Sequence, residues 1–173
     1  MRRAATATAG LLFWSTTALA DWVYQLDDDP FVESGGSHIA VVGDLIGYGA
    51  GFRCAAPDDL TLIFITPERA RDVESALFVQ LPAILLVVID DADKVYLDAR
   101  IDVTPNGETY RFLSDEMAVS AVFRAALTAK KRFAVAAQIS GQIFHRKSFD
   151  VRGSSRALKQ LVEGCKLNTE NER

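Results

Sequence analysis

The chain of 173 residues carries 19 Lys and Arg against 23 Asp and Glu, a formal charge of −4 with both histidines neutral, and 49% of its residues are hydrophobic. Net acidity without a nucleic-acid-binding motif argues against a nucleic-acid partner. Two cysteines are too few for a disulfide scaffold, and the length suits one domain with a sizeable core.

Residues 1–20, MRRAATATAGLLFWSTTALA, place Arg2 and Arg3 before an apolar run from Ala4 to Trp14 and close on Ala18, Leu19 and Ala20. A positive start, an apolar run too short to span a bilayer and an A-x-A ending predict a secretory signal peptide cleaved after Ala20. The expected location is periplasmic or secreted, with a single exported domain over 21–167 and a frayed tail, NTENER, over 168–173. The other long apolar stretch, Ala76 to Ile89, is broken by Gln80 and Pro82 and is too short to be a transmembrane segment.

Strand signals then dominate: DWVYQL at 21–26, SHIAVVGDLI at 37–46, GAGFRCA at 49–55, LTLIFIT at 60–66, AILLVVI at 83–89 and KVYLDARIDV at 94–103. They are rich in Val, Ile, Phe and Tyr and are separated by turn clusters. A weaker helix is expected over Glu68 to Phe78, opened by Pro67. Asn106 and Gly107 predict a tight hairpin leading into TYRFL. A helix follows from about Asp115 to Thr128, with Ser114 as N-cap and Asp115 and Glu116 in its first turn. A second hairpin turns at Ser140 and Gly141, and a terminal helix capped by Ser154 or Ser155 ends at Cys165. The order predicts an α+β fold: mainly antiparallel β-sheet or sandwich, with one mid-chain helix and a C-terminal helix.

Export makes a disulfide between Cys54 and Cys165 the expected state, since two cysteines allow only one intramolecular pairing. Ala157, Leu158, Leu161, Val162 and Cys165 recur at helical spacing, so Cys165 points inward with the apolar stripe.

No catalytic residue is assigned. The histidines, His38 and His145, stand 107 residues apart and form no zinc motif. The acidic clusters Asp27, Asp28, Asp29 and Asp90, Asp91, Asp93 lack the spacing of a calcium loop and read as solvated turns. Asp102 and Glu108 are carboxylates near a hairpin with no sign of acid–base work. GYGAG at 47–51 lacks phosphate-loop spacing and leads into a strand, where glycines mark a bulge or a close backbone approach. No cofactor and no metal is expected.

Charge is distributed unevenly: residues 21–116 hold 19 acids against 6 Lys and Arg, whereas 117–167 hold 10 Lys and Arg against 2 acids. Arg146, Lys147, Arg152 and Arg156 are the candidate interaction surface, a positive face for an acidic partner if the last hairpin and helix share it. The plainer alternative spreads these charges over several faces, partly matched by the acidic segment.

Trp22, DPF at 29–31, FRC at 52–54, RID at 100–102, FRAALTAKKRFAV and the closing FDVRGSSRALKQLVEGC together resemble the VasI-type proteins associated with type VI secretion. More loosely, the chain is similar to the invasion-associated locus B family. The resemblance implies a periplasmic accessory protein and carries over no catalytic residue. The expected function is a non-enzymatic, exported protein-interaction module, an accessory to secretion or envelope assembly with an envelope or secreted partner; the alternative is an exported inhibitor of a lysozyme-type hydrolase.

Overall fold

The computed structural model describes residues 21–27, 36–55, 59–70, 76–104 and 107–167. The expected signal peptide, Asp28, Asp29, the DPF motif, Asn106 and the tail lie outside the described residues.

Among the described residues nine strands form the body: β1 (Val23–Asp27), β2 (Ser37–Gly43), β3 (Gly49–Cys54), β4 (Leu60–Arg69), β5 (Ala83–Ile89), β6 (Val95–Val103), β7 (Thr109–Ser114), β8 (Arg132–Ile139) and β9 (Gln142–Asp150). Helix α1 (Ala118–Leu127) lies between β7 and β8, and α2 (Ser154–Cys165) follows β9. All neighbouring strands pair antiparallel, in the spatial order β1-β2-β3-β4-β7-β6-β5-β8-β9. The chain is therefore α+β, and of the two arrangements left open by its sequence it adopts the single sheet. Among the described residues no helix is long and apolar enough to cross a membrane.

Alternation along the strands sends one set of side chains to the concave side. Ala40, Val42, Phe52, Leu62, Phe64, Leu85, Leu97, Phe112 and Phe133 are buried there, joined by Val119, Val122 and Phe123 of α1 and Leu158 and Leu161 of α2. Phe52 is the hub: its ring meets Phe123 at 5.1 Å, Phe133 at 5.8 Å and Trp22 at 6.5 Å. Large aromatic rings bury more area per residue than any other side chain, so this cluster anchors α1, through Phe123, onto the sheet.

The sheet curls until its edges meet. Trp22 donates its backbone N–H to the Arg152 carbonyl at 3.1 Å and its indole N–H to the Asp150 carbonyl at 3.0 Å. These bonds tie the entrance of β1 to the end of β9 and give the Trp near the start of the domain a structural role.

Three expectations are corrected. The segment after Pro67 begins as strand: β4 runs on to Arg69, which pairs with Thr109 beyond an irregularity in the ladder. Proline has no N–H to give a ladder, and a break in pairing accommodates it; of the described residues in the expected span, 76–78 are helical and Glu68 and Arg69 are strand. Helix α1 starts at Ala118, because Ser114 is the last residue of β7, opposite Leu62, and so caps nothing. Asp115 pairs with Arg100 at 2.6 Å and Glu116 accepts the Asp98 N–H at 3.1 Å, so both acids brace β6. Helix α2 is preceded by Gly153 with φ of 78°, and neither serine caps it. A Cβ at Gly153 would lie 3.1 Å from the Trp22 carbonyl, so the seam selects glycine there. Ser155 instead donates its hydroxyl to the Leu127 carbonyl at 3.0 Å, joining the two helices.

Candidate functional site

Cys54 and Cys165 are disulfide-bonded, with Cα atoms 6.3 Å apart. The bridge joins the end of β3 to the last residue of α2, on the apolar face that also buries Ala157, Leu158 and Leu161.

The four candidate cations are not gathered into one patch. Arg146 and Lys147 are successive residues of β9 and point to opposite faces of the sheet. Lys147 lies on the Val135 side, 2.5 Å from the Asp44 carboxylate and 5.4 Å from the Tyr48 ring centroid. Arg152 is near Asp21, at 3.8 Å, and Arg156 sits on the exposed face of α2 beside Lys159. Two more cations are also matched, Lys131 by Asp91 and Arg132 by the same carboxylate at 3.8 Å. Only Arg146 faces the outer surface of the sheet from β9 without a carboxylate partner among the described residues.

That outer surface departs from the usual pattern. An antiparallel sheet with one covered face normally alternates apolar inward and polar outward. Here the outward side chains of β5 are Ile84, Leu86 and Val88, and those of β8 after Arg132 include Ala134 and Ala136, all only partly buried. The register makes a row of Tyr96, Leu86, Ala136 and Arg146 across four strands. Leu86, Val88, Ala134, Ala136 and Ile143 line a shallow groove of about 600 Å³, flanked by Lys94 and Arg146. Tyr96 and Ile143 stand more than half exposed beside it.

The histidines are not isolated. With the proton of the neutral ring on Nε2, which lies 3.9 Å from Glu68, His145 Nδ1 is left to accept the Tyr48 hydroxyl at 2.9 Å. His38 meets Tyr24 at 2.6 Å and packs against Gly164 of α2. Partial burial holds the His145 pKa below its ordinary 6.5, with Glu68 opposing. Partial burial raises the Asp44 carboxyl, but the Lys147 ammonium and the Tyr48 and Ile46 N–H groups outweigh it and leave it below the ordinary value. Tyr48, His145, Asp44 and Lys147 thus clasp the β2–β3 turn to β9.

Protonating His145 removes the Nδ1 acceptor. Because its folded-state pKa is depressed, the unfolded chain takes the proton more readily. Its contribution is full above the ordinary 6.5 and declines as pH falls from there towards the lower folded-state value, below which the loss is complete. Urea midpoints measured down to the carboxylate range should fall with pH, and His145→Gln should flatten that fall; an unchanged slope in the variant would place the titrating group elsewhere.

The acids serve the fold. The Asp90 carboxylate accepts the N–H groups of Lys130, Lys131 and Arg132, fixing the start of β8. Asp102 is held by Arg111 at 2.5 Å and by the Val103 N–H at 2.8 Å. Among the described residues no group of three His, Cys, Asp or Glu side chains is placed to hold a metal ion. No family profile, curated protein or solved structure matches the chain.

Proposed function

We propose that the chain is a non-enzymatic protein-interaction module, exported by its first twenty residues, that serves secretion or envelope assembly. The observation that carries this reading is the aliphatic groove on the outer sheet face, between Lys94 and Arg146. A contiguous apolar patch rimmed by polar groups marks a contact with protein, membrane or ligand, and the cations Lys94 and Arg146 at its edge favour an acidic protein partner. The Cys54–Cys165 bridge supports a life in an oxidising compartment. The resemblance to VasI-type proteins supports the accessory role.

A photoreactive phenylalanine analogue placed at Ile143 in cells should give a discrete protein adduct. The same group at Lys159, on the exposed face of α2, should not, and Arg146→Glu should weaken the adduct at 143. An absent adduct at 143, or equal labelling at both positions, would overturn the reading.

A further inference from the structure

The β2–β3 connection carries the most exposed aliphatic pair on the sheet. Strand signals run through DLI at 44–46, yet β2 stops at Gly43 and the chain turns, leaving Leu45 91% exposed and Ile46 66% exposed. The turn is nonetheless tightly built. Asp44 Oδ1 accepts the N–H of Ile46 at 3.0 Å and of Tyr48 at 2.9 Å, the Asp44 N–H donates to the Tyr48 carbonyl at 2.9 Å, and Gly47 takes φ of 95°. Asp at the first position and a left-handed glycine at the fourth are what this hairpin connection demands. Lys147 then fastens Asp44 to β9. Two apolar side chains are therefore displayed on a rigid mount, and a preorganised element loses little entropy on docking.

The same molecule presents the complement. The groove is aliphatic and edged by the cations Lys94 and Arg146, whereas β4, whose Pro67 packs beside Gly47 of the turn, presents Glu68, about half exposed, next to a His145 that is neutral at neutral pH. The turn cannot reach this groove in its own chain, since Asp44 is fastened to Lys147 on one face of β9 while the row of Leu86, Ala136 and Arg146 stands on the opposite face. We infer that a second copy of this chain is the groove's partner, seating Leu45 and Ile46 between Lys94 and Arg146. This rests on the reading of the groove as a docking surface and names its occupant. Two different patches meet in such a contact, so it closes a ring, extends a chain or is exchanged reciprocally in a pair.

Sedimentation velocity on the purified protein tests the inference with two variants altered only at exposed side chains, Leu45→Ser/Ile46→Ser and Ile143→Glu/Arg146→Glu. The wild type should associate reversibly, more weakly at high salt. Each variant alone should sediment as a monomer, the first with Kd weakened by about tenfold or more for each apolar side chain removed. An equimolar mixture should restore a heterodimer, because one variant keeps its groove and the other its turn. A monomeric wild type, variants that associate like the wild type, or a mixture that stays monomeric would each overturn it. Co-sedimentation of a monomeric wild type with phosphatidylethanolamine–phosphatidylglycerol vesicles, lost in Leu45→Ser/Ile46→Ser, would assign the turn to lipid instead. An adduct to a different protein from position 143 would then leave the interaction-module reading standing; absence of both adduct and self-association would end both.

Discussion

The double substitution Cys54→Ala/Cys165→Ala is expected to cost about 4 to 5 kcal/mol of folding stability, the value the chain-entropy model assigns to a cross-link closing about a hundred residues. The bridge spans 111 residues and, apart from the backbone that runs from β9 into α2, is the covalent link between α2 and the sheet. Against a typical total of about 5 to 15 kcal/mol for a domain, that loss is large. The variant should nevertheless fold at low temperature, because α2 still buries Ala157, Leu158 and Leu161 against the sheet and α1. Two further observations separate the cross-link from local packing. Dithiothreitol should lower the urea midpoint of the wild type to that of the variant and leave the variant unmoved. The denaturant slope should also rise when the bridge is absent, because the freed unfolded chain exposes more surface. A midpoint that barely moves in either case would show that packing alone holds the helix.

Much of this architecture can be read locally. The Ser140–Gly141 turn, with φ of 51° and 81°, joins β8 and β9 where the small residues predict it, and the apolar stripe of α2 faces the core with Cys165 at its end. What escapes a local reading is what a distant partner decides. Ser114, Asp115 and Glu116 have the composition of a helix start, but Ser114 pairs with Leu62, and a sheet ladder displaces a side-chain cap. Leu45 and Ile46 extend an aliphatic pattern that strand pairing ends at Gly43. The partner of His145 is Tyr48, 97 residues away, and no spacing motif announces such a pair. The opposite orientation of Arg146 and Lys147 was legible, since neighbours on a strand always face apart. The uncovered state of Leu86 and Val88 was not, because AILLVVI reads the same whether one face of the strand is covered or both.

Gly51 and Gly49 should respond very differently to the same methyl group. Both lie on β3 and both project to the outer side of the sheet, opposite Val41 and Gly43 respectively. A Cβ on Gly51 would stand 2.2 Å from the Ala40 carbonyl oxygen and 2.8 Å from the Val41 Cα, whereas one on Gly49 meets its nearest atom, on the Ile65 side chain, at 3.5 Å. The obstacle at Gly51 is backbone, which has no rotamer to change, so β2 and β3 must separate to admit alanine. Overpacking of a tight site typically costs about 1 to 3 kcal/mol, and a clash with backbone belongs at or above the top of that range. At Gly49 the added methyl makes an ordinary contact, and the reduced freedom of the unfolded chain favours alanine by about 0.4 to 1 kcal/mol. Gly51→Ala should therefore lower the urea midpoint sharply while Gly49→Ala leaves it level or raises it. The adjacent Phe52 extends the consequence to the core: opening β2 from β3 shifts the ring that Trp22, Phe123 and Phe133 pack against, so tryptophan fluorescence should change in the folded Gly51→Ala protein. Equal responses of the two alanine variants would mean that the close approach at Gly51 does not govern the pairing of β2 with β3.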